Sequence, residues 1–124
     1  MTYYNTSKFF KISSRLLLMK AHEKKEKKEI TFQFAVALYK AMEDANFNPT
    51  KLALEIGMEK SHMQLIANGK KNLTLSSQIA IATGLGISYT QLAAYFDGVT
   101  KADEKKFIEY QKKQQALKAH NKKS

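Results

Sequence analysis

Between Phe32 and Phe96 the chain is cut repeatedly by residues that stop or start helices. That spacing leaves room for short helices joined by tight turns and for little else. Apolar residues at 32, 35, 36, 38, 39, 42 and 45 follow a helical period rather than strict alternation, with Thr31 placed to cap the start. Asn48-Pro49 then opens a second helix, because Asn is a good N-cap and Pro suits the first helical position. Gly57 stops it. A third helix spans about residues 60–67 and ends at Asn68-Gly69. Thr74 opens a fourth, which runs to Gly84-Leu85-Gly86. Ser88-Tyr89-Thr90-Gln91 is a capping box that opens a fifth, ending near Phe96. No segment reads as a strand. The expected fold is all-α.

Charge divides the chain into three parts. Its 124 residues carry a net charge of +10. Residues 1–30 form a basic, amphipathic N-terminal arm, residues 31–98 a neutral centre, and residues 99–124 a Lys-rich C-terminal helix or tail. The whole surplus therefore lies in the arms. With no Cys, neither a disulfide scaffold nor a zinc-thiolate site is available. The longest apolar runs, Leu16 to Met19 and Ile79 to Ala82, fall far short of the roughly 20 residues a membrane span needs. His22, His62 and His120 stand on separate segments without ligand spacing, so no metal or other cofactor is expected. No nucleophile elbow, triad or Gly-rich phosphate loop is present, and Gly84-x-Gly86 reads as a helix end. A non-enzyme is expected, and the positive surplus points to a polyanionic partner.

The second and third helices are the most constrained part. Two helices crossing around a tight turn need a small residue at the crossing, a residue tolerant of positive φ in the turn, and an apolar anchor beyond it. Counting Pro49 as one, Ala53 is at five, Gly57 at nine and Met63 at fifteen. Leu52, Ile56, Met58 and Ile66 occupy four, eight, ten and eighteen, which must be buried. Over Phe47 to Leu92 the chain resembles the lambda-repressor-like helix-turn-helix family (Xre or Cro/C1 type). The likeness rests on Leu52-Ala53, Ile56-Gly57-Met58, Ser61, Met63, Ile66, Asn68-Gly69-Lys70-Lys71, Ile79, Ala82, Leu85 to Ser88 and Leu92.

The resemblance implies a five-helix DNA-binding domain flanked by helical or partly disordered basic arms. It makes helix 60–67 the recognition helix, entering the major groove of double-stranded DNA by its N-terminal end. Lys60, Ser61, Gln64 and Leu65 would face the groove, with His62 near its rim. Lys60 suits guanine O6 and N7, Gln64 suits adenine, and Leu65 can touch only a thymine methyl. Thr50, Lys51, Asn68, Lys70 and Lys71 would grip phosphates, together with the N-terminal amides of the second helix. Three positions depart from the family: Pro49 stands where Gln is common, Met42 where Arg is common, and Ala67 where Glu is common. Each departure removes a contact or an orienting ion pair.

In the N-terminal arm, Ser13 or Ser14 is placed to cap a helix through Arg15 to Glu29, in which Glu23 can pair with Lys27. Phe9, Phe10, Ile12, Leu16, Leu17 and Met19 need an apolar surface, and a second protomer is favoured over the domain itself. In the C-terminal arm, Thr100 to Asp103 can cap a helix with Phe107, Tyr110, Gln114 and Leu117 on one side, fraying from about Ala119. The expected protein is thus a cytoplasmic, homodimeric, sequence-specific transcriptional regulator, associated with the nucleoid when bound. Two alternatives stand beside it. One is a protein-interaction module of the bridging or antitoxin type, with a protein as partner. The other is a non-specific nucleic-acid binder acting through its arms.

Overall fold

The computed structural model describes the backbone of residues 6–123 and the side chains of residues 26–121. All regular structure among the described residues is helical: α1 Thr6–Ala45, α2 Pro49–Ile56, α3 Lys60–Ala67, α4 Leu75–Leu85, α5 Tyr89–Asp97 and α6 Lys101–Lys123. These six helices differ from the expected five between separate arms. The expected first helix does not start at Thr31, nor does an arm helix start at Ser13 or Ser14. Both are parts of α1, which runs unbroken for 40 residues. No Gly or Pro interrupts that stretch, and its Glu/Lys-rich middle has good helix formers. Thr31 satisfies its hydroxyl within the helix instead of capping it, donating to the Lys28 carbonyl at 3.1 Å. The expectations for the arm's apolar residues, for His22 and for Glu23 as partner of Lys27 fall on side chains outside the described residues. α6 continues as helix to Lys123, past the expected fraying point.

α1 is buried on two flanks. On one, Leu38, Ala41 and Met42 join Leu52, Ala53, Met63, Ile66, Ile81, Ala82, Leu85 and Leu92 in the main core. On the other, Ala35 and Val36 enclose Phe107 of α6, with Phe32, Tyr39 and Val99 packed around them. Phe107 is 1% exposed. Its ring meets Phe32 edge-on at 5.8 Å and Tyr39 at 5.8 Å, and Tyr39 stacks on Tyr110 at 4.6 Å. Burying such a ring contributes about 1.5–3 kcal/mol, with a further ~0.5–1.5 kcal/mol for an aromatic pair. The C-terminal segment is therefore docked, although its mean composition is strongly polar.

The turns follow from local chemistry. α1 ends with Asn46 at φ 60, Phe47 N–H donating to Met42 O at 2.8 Å and Asn46 N–H to Glu43 O at 3.2 Å. The same reciprocal pattern closes α2 at Gly57, whose φ of 69 a side chain would strain. Asn48 Oδ1 caps α2 by accepting the Lys51 N–H at 2.8 Å, with Pro49 at the start of the helix. Thr74 caps α4, and Ser88 and Gln91 form the expected capping box on α5. α4 ends at Leu85 with Gly86 as its C-cap, where expected, and Gly84 in its last turn has a packing role as well. A Cβ there would stand 2.4 Å from Ile56 Cγ2 and 3.1 Å from Leu52 Cδ1, so its absence lets α2 and α4 touch.

Gly84→Ala pits helix propensity against that contact. The gain is about 1 kcal/mol, whereas overpacking costs about 1–3 kcal/mol. Ile56 is branched at Cβ and cannot swing its Cγ2 away freely. The expected outcome is a net loss of stability, seen as a lower urea midpoint; a higher midpoint would contradict the packing described.

Candidate functional site

α2 and α3 cross at the three residues Gly57 to Glu59, with Ala53 2% exposed at the crossing and Met63 fully buried beneath it. Leu52 and Ile66 are buried as the spacing requires, while Ile56 and Met58 are half-buried and lie at the edge of the core. With those apolar residues turned inward, the opposite face of α3 is left to solvent. Lys60, Ser61 and Leu65 are exposed there, and His62 and Gln64 are half-exposed. Glu59 makes no side-chain cap on α3, and its carbonyl accepts only from Met63, so the Lys60, Ser61 and His62 N–H groups face outward without an intrahelical acceptor.

The α2 start is more closed. Asn48 takes the Lys51 N–H through its side chain and the Leu52 N–H through its carbonyl. Pro49 has no N–H, which leaves Thr50 as the one open amide of that turn. The Lys51 ammonium lies 4.7 Å from the centre of the Phe47 ring and reaches the Asn46 carbonyl at 3.5 Å. The turn after α3 is held against α1, with the Phe32 backbone beside Gly69. Lys70 and Lys71 project from it, both exposed. Among the described residues, Lys60, Lys70 and Lys71 have no carboxylate partner.

Asn68 is committed inside the fold. Its Nδ2 donates to the Gln64 carbonyl at 2.8 Å, and its Oδ1 accepts from Gln111 Nε2 at 3.2 Å. That second bond comes from α6. A groove of about 670 Å³ opens between α6, the start of α2 and the end of α3. It brings together Thr50, Lys51, Gln64, Asn68 and Lys70 with Tyr110, Gln111, Gln114, Gln115 and Lys118. Lys60, Ser61, His62, Leu65 and Lys71 lie outside it. The α6 residues are the part that sequence reasoning missed. Their signal was available, since Gln111, Gln114 and Lys118 follow Phe107 at helical spacing. Leu117, expected on the same stripe, is 56% exposed and not part of the groove.

Electrostatics clamp α6 in place. Thr100 and Asp103 cap it reciprocally, at 2.9 and 3.2 Å. Asp103 also accepts from Lys40 of α1 at 2.9 Å, and Lys106 lies 3.8 Å from Glu43. The Lys40 hydrogen bond, followed by the Thr100 backbone N–H, holds the Asp103 carboxyl below its ordinary range. On α5, the Tyr95 hydroxyl donates to Asp44 at 2.5 Å, which raises that phenol. Burial, then the charge of Glu43, raises Tyr39.

A second cavity, about 220 Å³, is lined by Ile30, Phe34, Leu73, Tyr89, Leu92 and Phe96 among others. Among the described residues no His, Asp and Glu cluster is placed to hold a metal ion, and no single helix is long and apolar enough to cross a membrane. Compared with known proteins, the chain matches no family model and no curated protein.

The Asp103 clamp makes α6 docking sensitive to acid. A carboxyl whose folded pKa is depressed stabilises the fold above its unfolded value, near 3.9, and loses that contribution as pH falls through the folded value. Asp103→Asn is therefore expected to lower Tm at neutral pH, and the gap to the wild type should close below about pH 4. Thermal unfolding followed by helical circular dichroism across that range measures it. A gap that persists unchanged in acid would show that the ionised carboxylate is not the clamp.

Proposed function

We propose that the protein is a sequence-specific, non-enzymatic DNA-binding regulator of the lambda-repressor-like helix-turn-helix type, acting in the cytoplasm as a homodimer. One observation carries this reading: α3 presents an uncapped first turn, with Lys60 and Ser61 exposed upon it, beside Lys70 and Lys71, which have no carboxylate partner among the described residues. A helix N-terminus with open amides and a neighbouring cation suits phosphate and base edges together. The buried Ala53, Gly57 at positive φ and buried Met63 are consistent with the resemblance and support this reading. Lys60 would read guanine, while Lys70 and Lys71 would hold the backbone. In a dimer, two such helices would enter successive major grooves roughly 34 Å apart.

Leu54 favours a second reading. It is 83% exposed on α2, and Leu65 on α3 is 44% exposed. Two open leucines near the same helix pair suit a protein partner better than a phosphate chain. The bridging or antitoxin-type module is therefore the competitor.

Selection of bound duplexes from a random pool separates the two, followed by binding of variants to the selected and to random DNA. A regulator yields an enriched site. Lys60→Ala is then expected to lose about 1–3 kcal/mol on that site and little on random DNA. Lys71→Ala is expected to weaken both alike and to lower the salt slope by about one. A pool with no enriched sequence would favour the interaction module. Equal losses for both variants on both duplexes would remove α3 as the reader.

A further inference from the structure

We propose that α6 is a third wall of the nucleic-acid site, and that the groove between α6, the start of α2 and the end of α3 receives the sugar-phosphate backbone of one DNA strand. This inference rests on the DNA-binding reading above and adds a partner surface to it.

Three observations converge. The first is charge. The groove contains Lys51, Lys70 and Lys118, and no carboxylate among its lining residues. That segregation is not forced by composition, because α6 carries Asp103, Glu104 and Glu109, α2 carries Glu55, and Glu59 precedes α3. Asp103 and Glu104 are engaged with Lys40 and Lys101 instead. The second is the amide set. Gln111 and, one turn on, the adjacent Gln114 and Gln115 line the groove from α6, and glutamine N–H groups donate to phosphate oxygens without reading sequence. Leu54 and Tyr110 also line the groove, but its polar groups are cations and amide donors without an acid, a set that suits a chain of phosphates rather than a peptide, whose carbonyls and side chains carry no repeating negative charge.

The third is rigidity. Phe107 is buried against α1, the Lys40–Asp103 bridge pins the first turn, and Gln111 bonds to Asn68 at the end of α3. α6 is thus set at a defined place beside α2 before any ligand arrives, so little ordering entropy is lost on binding. Asn68 accordingly aligns the wall, with both its amide groups already used. The C-terminal lysines then divide into two kinds. Lys118 faces the groove, while Lys112 and Lys113 lie on the exposed remainder of the helix.

The test uses the full chain and two substitutions that change charge equally, Lys118→Gln and Lys113→Gln. Binding to the selected duplex and to a random duplex is titrated against salt. Lys118→Gln is expected to lower the slope of log affinity against log salt by about one on both duplexes, with Lys113→Gln leaving it close to wild type. Gln114→Glu, which places a carboxylate in the groove, is expected to weaken both by at least about tenfold with the helical signal unchanged. Equal slopes for the two lysine variants would overturn the groove and leave only general charge attraction. Tighter binding by Lys118→Gln would also overturn it, making α6 an obstruction. If the unaltered chain binds no duplex at any salt, the DNA reading itself fails, and this inference with it.

Discussion

The two-sided burial of α1 is the constraint on which the rest depends. A helix that covers one apolar stripe can organise one layer; the Phe32–Ala45 portion of α1 covers two. Its Leu38 and Met42 flank gathers α2 to α5 into a core, and its Ala35 and Val36 flank takes Phe107. Small residues at 35, 37 and 41 let neighbours approach closely on both sides. The position of α6 relative to α3 is consequently decided through α1, and the Gln111–Asn68 bond only completes it.

Charge placement follows the same division of labour. Glu43 and Asp44 are spent on joints with α6 and α5, through Lys106 and Tyr95. Asp103 closes the other end of α6 on Lys40. The lysines at 60, 70 and 71 are left without carboxylate partners among the described residues. A centre with zero formal charge can therefore still offer a cationic face, because two of its acids are absorbed in holding helices together.

Most helix boundaries from α2 to α5 were legible because each rests on a local signal. Asn48-Pro49, Gly57, Thr74 and the Ser88–Gln91 box act within four residues of themselves, and the structure uses them as caps and stops. Thr31, Ser13 and Ser14 carried the same type of signal and were not used, since nothing before them ends the preceding helix. Gly84 was expected in the last turn of α4 and lies there, but its packing role was not legible. Its role depends on Ile56, which is close in space and remote in sequence. Of the candidate site residues, those on α3 were placed by the buried face of that helix. The α6 contribution was not, because a stripe of one Phe, one Tyr and several Gln is too thin to reveal what it packs against.

By itself, then, the sequence determined an all-helical chain, the limits of its short helices, and which residues of α2 and α3 turn inward. Capping and periodicity are short-range effects, read within one or two turns. Only the tertiary structure decided that the two flanking segments join the fold differently: the first as an extension of α1, the second as a wall beside α3. That outcome turns on Phe107 meeting α1 some seventy residues away, a long-range burial whose partner no local pattern specifies.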